Sequence, residues 1–156
     1  MIKYDISSLK RELKLPAHWL PIINKANPKD SVNHFYSVGE TDLKSFMDVG
    51  TLPANEASLR ETFERLCAKI SKDQLLKDFA LKRMEQWNEH GDVLVGYFTY
   101  SQDFDKSPLK MTGISALIRG KQTDVIRFIT IYGFPSELER RTADLRRIVA
   151  AETVKQ

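Results

Sequence analysis

Residues 109–134, LKMTGISALIRGKQTDVIRFITIYGF, decide the fold: two β-prone runs, 109–119 and 125–134, flank Gly120, Lys121 and Gln122. In the second run apolar side chains leave both faces, and only Arg127 and Thr130 interrupt them. A strand that is apolar on both sides sits in the middle of a sheet and is covered on both sides. Pro135 and Ser136 follow at once and open a helix, so the stretch reads as a sheet hairpin running into a covering helix.

Working outward, 77–134 reads as four successive antiparallel strands. Val93 to Tyr100 is a dense β-branched and aromatic run, Gly91 and Asp92 offer a turn before it, and Asp103 to Lys106 read as a hairpin loop. Phe79, Leu81, Arg83, Glu85 and Trp87 would share one face of the first of these strands, although Leu76, Phe79, Ala80 and Arg83 also satisfy a helix. Upstream, Leu59, Phe63, Leu66, Cys67 and Ile70 mark one face of a helix over 58–70, with Ser58 and Glu61 at capping-box spacing. Two earlier strands are expected, over 32–38 and over 43–52 with Gly50 interrupting the second.

The N-terminal region reads as a short helix over 5–14, with Ile6, Leu9 and Leu13 on one face and Asp5 or Ser7 as cap. Pro16 and Pro21 then exclude regular helix, and 27–30 is a second breaker cluster. Between them the chain should lie across the body with Trp19 and Ile22 turned inward. At the other end, Ser136 and Glu139 form a capping box for a helix running to about Thr153. Leu138, Leu145, Ile148 and Val149 mark its buried side. Glu152 lies on the same stripe, so the last turn is expected to be wet. Arg140 and Arg147 fall on the solvent side, with Arg141 and Arg146 flanking the apolar stripe.

The fold class that follows is α+β: an antiparallel sheet of five to six strands covered by an amphipathic middle helix and a C-terminal helix. At 156 residues and 42% hydrophobic content one domain over 1–156 is expected, because a chain of this size buries roughly 68–70% of its unfolded surface. The 24 basic and 21 acidic residues leave a net charge of +3, too balanced for a dedicated nucleic-acid binder and consistent with solubility. The single Cys67 reads as core packing, and one cysteine makes no internal disulfide, which suits a reducing compartment. No signal peptide is legible, and no apolar run approaches the roughly 18 residues of a membrane span. The expected location is the cytoplasm, without membrane insertion.

Chemistry leaves few marks. His18, His34 and His90 lie far apart and none has a second ligand nearby, so no metal site is expected. Neither a nucleophile elbow nor a phosphate loop is present, and no cofactor is expected. A metal-independent ribonuclease needs a base, an acid and a cation, for which His34, Glu61, Arg83 and His90 are the candidates. The arginines of the last helix read first as a solvated face, since Glu137, Glu139 and Asp144 are interspersed and Glu137 and Arg141 have the favourable i,i+4 order. The alternative is an electropositive patch for an acidic protein or RNA, guanidinium groups being suited to carboxylate and phosphate. Aromatic residues for base stacking are absent from that helix, while Tyr97, Tyr100 and Tyr132 offer them on the sheet.

Leu15 to Trp19, the capped helix over 58–70, and Val125 to Phe134 leading into the final helix give an element order that resembles the PsbP-like fold. Photosystem oxygen-evolving subunits, DcrB-type bacterial proteins and the Eag chaperones of type VI secretion effectors share that fold. The resemblance implies a non-catalytic adaptor or chaperone. The leading expectation is therefore a cytoplasmic protein-binding module that uses Arg140, Arg141, Arg147, Tyr100 and Tyr132 to hold a protein partner. An RNA-directed protein, either toxin or binder, is the alternative. An immunity protein fits the size and compactness but is less favoured by the sign of the charge, and a homodimer stays open.

Overall fold

The structure, a computed structural model, describes residues 1–6, 11–23, 33–39, 43–120 and 125–153. Ser7, Leu9, the 27–30 breaker cluster and residues 121–122 lie outside the described residues.

The chain opens with β1 (Ile2–Ile6) and β2 (Arg11–Leu15), which pair antiparallel with Ile2 opposite Leu15. In the described residues of the span 5–14, at 5–6 and 11–14, paired strands thus replace the expected helix. Ile6 and Leu13, seven residues apart, fit a helical period, whereas pairing Tyr4 with Leu13 and Ile2 with Leu15 places Ile6, Leu13 and Leu15 on two strands that bury them in one core. β3 (Leu20–Pro21), β4 (His34–Val38) and β5 (Lys44–Pro53) follow, then α1 (Leu59–Lys72), β6 (Lys77–Gln86), β7 (Asp92–Phe104), β8 (Ser107–Arg119), β9 (Val125–Gly133) and α2 (Leu138–Thr153).

Seven strands form one antiparallel sheet in the order β3-β4-β5-β9-β8-β7-β6. The doubly apolar run is its fourth and central strand, as the sequence requires, and the four strands from β6 to β9 are consecutive neighbours. The sheet exceeds the expected five to six strands because the two-residue β3 adds an edge.

Each helix covers its own face. Against α1 lie Leu94, Leu117 and Ile126, packed on Leu59, Phe63 and Cys67. Ser58 caps that helix as expected, its Oγ accepting from the Glu61 N–H at 3.1 Å. The opposite face holds the larger core, in which Val95, Ile114, Ile129 and Ile131 meet Leu145, Ile148 and Val149 of α2. The β1–β2 pair and Trp19 complete that core. Trp19 is turned inward as expected, but Ile22 is 44% exposed.

β6 resolves the strand-or-helix ambiguity. Its register shifts between Lys77 and Ala80 and again between Leu81 and Arg83. The irregularities reset the parity of the side chains, so Phe79, Leu81 and Met84 all pack on the α1 side. Arg83, by contrast, lies over the Tyr97 ring at 4.1 Å, and Trp87 joins the α2-side core. The shared face expected for Phe79 through Trp87 is therefore divided between the two sides.

α2 departs from expectation at both ends. A 3-10 turn, Pro135–Glu137, leads into it, with the Glu137 N–H bonded to the Phe134 carbonyl and no side-chain cap. In its last turn Glu152, expected to be wet, is 3% exposed and forms a buried ion pair with Arg127 of β9. That pair explains why Arg127 interrupts an otherwise apolar strand.

Candidate functional site

Apolar residues at every fourth position of α1 and every second position of the strands leave a groove where the helix parts from the sheet. It has a volume of about 530 Å³, within the usual range for binding clefts. Phe63, Leu66, Cys67 and Ile70 form the helix wall, and Leu75 and Leu76 form the lip beyond its C-terminus. Phe98, Tyr100, Phe128 and Tyr132 lie along the sheet side.

Three glycines let the aromatic lining sit flat, Gly50 beneath the Phe128 ring among them. A Cβ at Gly96 would overlap the Phe63 ring, and one at Gly113, opposite Phe98 in the β7–β8 register, would overlap the Phe98 ring. With no side chain at those points the rings rest directly on the sheet.

A row of polar residues crosses the floor. Backbone pairing places His34 beside Asp48, Asp48 beside Thr130, and Thr130 beside Ser115. His34 Nδ1 lies 2.6 Å from Asp48 Oδ1, and the Tyr132 hydroxyl donates to the same oxygen at 3.4 Å. The Ser115 and Thr130 hydroxyls bond each other at 2.7 Å. Chemically the order matters. Imidazole and hydroxyls lie on opposite sides of the carboxylate, so the row does not join a nucleophile to a base as acyl transfer requires.

The surroundings keep the groove's thiol and its two phenols neutral. Burial raises the Cys67 thiol to about 11, with Glu64 adding to the effect. Burial likewise pushes the Tyr100 hydroxyl up to about 12. Tyr132 moves further in the same direction, from burial first and then from the charge of Asp48.

The five residues expected to bind a partner are divided by the sheet. Tyr100 and Tyr132 come together in the groove, ring centroids 6.3 Å apart. The arginines belong to α2 on the other face. Arg147 is exposed there, and Arg140 is half-buried with Glu137 at 3.9 Å. Arg141, expected beside the apolar stripe, is 1% exposed. Its Nη1 donates to the Phe134 carbonyl at 2.7 Å and its Nη2 to Thr112 Oγ1, clamping α2 to the sheet end. Burial lowers its guanidinium to about 10, a shift opposed by Tyr100 and Glu137. Arg146 lies 4.2 Å over the Trp87 ring and 3.3 Å from Glu89. One continuous surface of sheet tyrosines and helix arginines is therefore not formed.

The ribonuclease candidates are dispersed. His34 is engaged by Asp48, Glu61 lies 3.9 Å from Arg65, Arg83 lies 3.5 Å from Glu85, and His90 lies 3.9 Å from Glu89. His18 holds Asp144 at 2.6 Å, and Trp19 Nε1 donates to the same carboxylate at 3.0 Å, which fastens the segment after β2 onto α2. Among the described residues no three His, Cys, Asp or Glu side chains gather as metal ligands, and no helix is long and apolar enough to cross a membrane.

Sequence reasoning missed Asp48 and Ser115. The available signal was the one Thr130 gave: a polar residue at an inward position of an otherwise apolar strand.

No family model matches the chain, and no curated protein matches it in sequence. Among solved structures the chain is similar to the Saccharomyces cerevisiae Ran-binding protein Mog1p, with a TM-score of 0.51, 13% identity, and coverage of 92% of this chain and 82% of that one. At that identity the likeness concerns the fold. It also corrects the expected PsbP, DcrB and Eag resemblance, which rested on element order alone: the chain folds similarly to Mog1p.

Proposed function

We propose that the chain is a small cytoplasmic protein-binding module, working as one domain, whose groove beneath α1 receives a segment of its partner. The observation that carries this reading is the groove itself: apolar walls, a lip that leaves Leu75 64% exposed, and a polar floor not ordered for bond-making. An exposed apolar concavity loses its unfavourable contact with water when a partner covers it. The fold supports the same reading, because the similar Mog1p is a Ran-binding protein. Nucleic acid finds less support, since Arg141 is buried and Arg140 and Arg146 have acidic neighbours.

The test is photo-cross-linking in cells. A photoreactive benzophenone residue replaces Leu75 at the groove lip or, as control, Arg147 on the far face. The reading predicts a discrete protein adduct from position 75, none from 147, and loss of the adduct when the groove wall carries Ile70→Asp in a folded chain. No adduct at 75, or salt-sensitive binding of a labelled oligonucleotide, contradicts it.

A further inference from the structure

We infer that the groove selects partner segments in which a bulky apolar residue is accompanied by a lysine or arginine, with Asp48 as the acceptor for the cation. This deepens the protein-binding reading and rests on it. Two charged side chains line the groove, Asp48 and Lys77. Lys77 is neutralised by Asp103, 3.4 Å from its Nζ. Asp48 is different: its side chain is 34% exposed, and both of its donors, His34 Nδ1 and the Tyr132 hydroxyl, go to Oδ1. Oδ2 accepts no hydrogen bond from the described residues. Oδ2 is thus an acceptor left at the margin of a cleft whose walls are mainly apolar.

A carboxylate at the margin of an apolar cleft favours a cationic donor over a neutral or anionic one, because the cation adds a Coulomb attraction to the hydrogen bond that a neutral donor lacks and an anion reverses. Guanidinium and ammonium groups also carry a stem that lies along apolar walls while the head reaches the acceptor. The apolar surface continues past the groove. Tyr132 and Phe134 pack on the cluster of Phe98, Tyr100 and Met111, and Phe134 meets Phe104, 40% exposed on the β7–β8 hairpin, at 5.6 Å between centroids. That length suits a stretch of polypeptide better than a compact small molecule.

The test is selection from a phage-displayed library of random 12-residue peptides against the full chain, followed by binding of the enriched peptides by fluorescence anisotropy. Enriched peptides are expected to combine an aromatic or branched apolar residue with lysine or arginine within four positions, and to protect Cys67 from alkylation. Asp48→Asn should weaken them about tenfold or more. Independently of how that variant folds, replacing the peptide's basic residue with methionine should weaken binding to the unaltered protein to a similar extent. Enriched peptides without a basic residue, or full affinity after its replacement, overturn the inference, as does a library that yields no binder. In each case an adduct at position 75 still upholds the protein-binding reading, so the two failures are distinguishable.

Discussion

Under α2 the central strands press Ile114, Ala116, Ile129 and Ile131 against Leu145, Ile148 and Val149, all of them essentially inaccessible, whereas under α1 the same strands present Phe128, Thr130 and Tyr132 to an open groove. The two faces also treat charge differently. On the closed face Arg127 is paired with Glu152, and Arg141 is bonded to Phe134 and Thr112, which leaves only one Nε of each guanidinium without a partner. On the open face Asp48 keeps one oxygen unengaged. Buried charge is tolerated where it is saturated from within, so the unsaturated carboxylate distinguishes the face proposed to meet a partner.

The largest effect should come from breaking the closed face. Glu152→Ala leaves Arg127 buried and unpaired and should cost about 3–5 kcal/mol in urea unfolding, while the apolar pair Arg127→Met with Glu152→Leu should recover most of it. Next, Gly113→Ala forces the Phe98 ring off the sheet and should cost about 1–3 kcal/mol, by thermal or chemical unfolding. This would show that the groove lining, although open, is as tightly fitted as the core.

The pH dependence sharpens the comparison from within the groove. Cys67 has its folded-state value raised from 9.0 to about 11, so the folded form holds its proton where the unfolded form has lost it. Its contribution to stability is therefore complete below pH 9 and is lost as pH rises through about 11. The stability of the unaltered chain relative to Cys67→Ala should fall by about 1 kcal/mol per pH unit across that window. The same protonation makes alkylation of Cys67 slow at pH 8 in the folded chain.

The smallest effect on folding belongs to the lip. Leu75→Ser should change stability by no more than about 0.5 kcal/mol, yet it should weaken binding of the partner identified by the position-75 cross-link, as read by pull-down of that partner on the tagged variant. A stability loss as large as that of Gly113→Ala would mean that Leu75 belongs to the core.

Much of this fold was legible because strand and helix periods are local properties. The doubly apolar 125–134 run gave the central strand, and the Ser58 cap with its Leu59–Ile70 stripe gave α1. The N-terminal strand pair was misread because Ile6 and Leu13 satisfy the helical period, while their burial beneath α2, a contact across the whole chain, leaves no mark in local spacing. Glu152 was read as wet for a related reason: its partner Arg127 is 25 residues away, and no local pattern reveals a long-range pair. The groove was least legible. It depends on strand order, which sets Asp48, Thr130 and Ser115 side by side from three separate strands.

The claim that the α1 face receives a partner is tested most directly by ¹⁵N chemical-shift mapping of the full chain, titrated with the partner captured at position 75 or with an enriched peptide. The account predicts shifts confined to Phe63, Leu66, Cys67 and Ile70 of α1 and to Asp48, Tyr100, Thr130 and Tyr132 on the sheet, with Arg140 and Arg147 unmoved. Shifts centred on α2, with the groove residues silent, would contradict it.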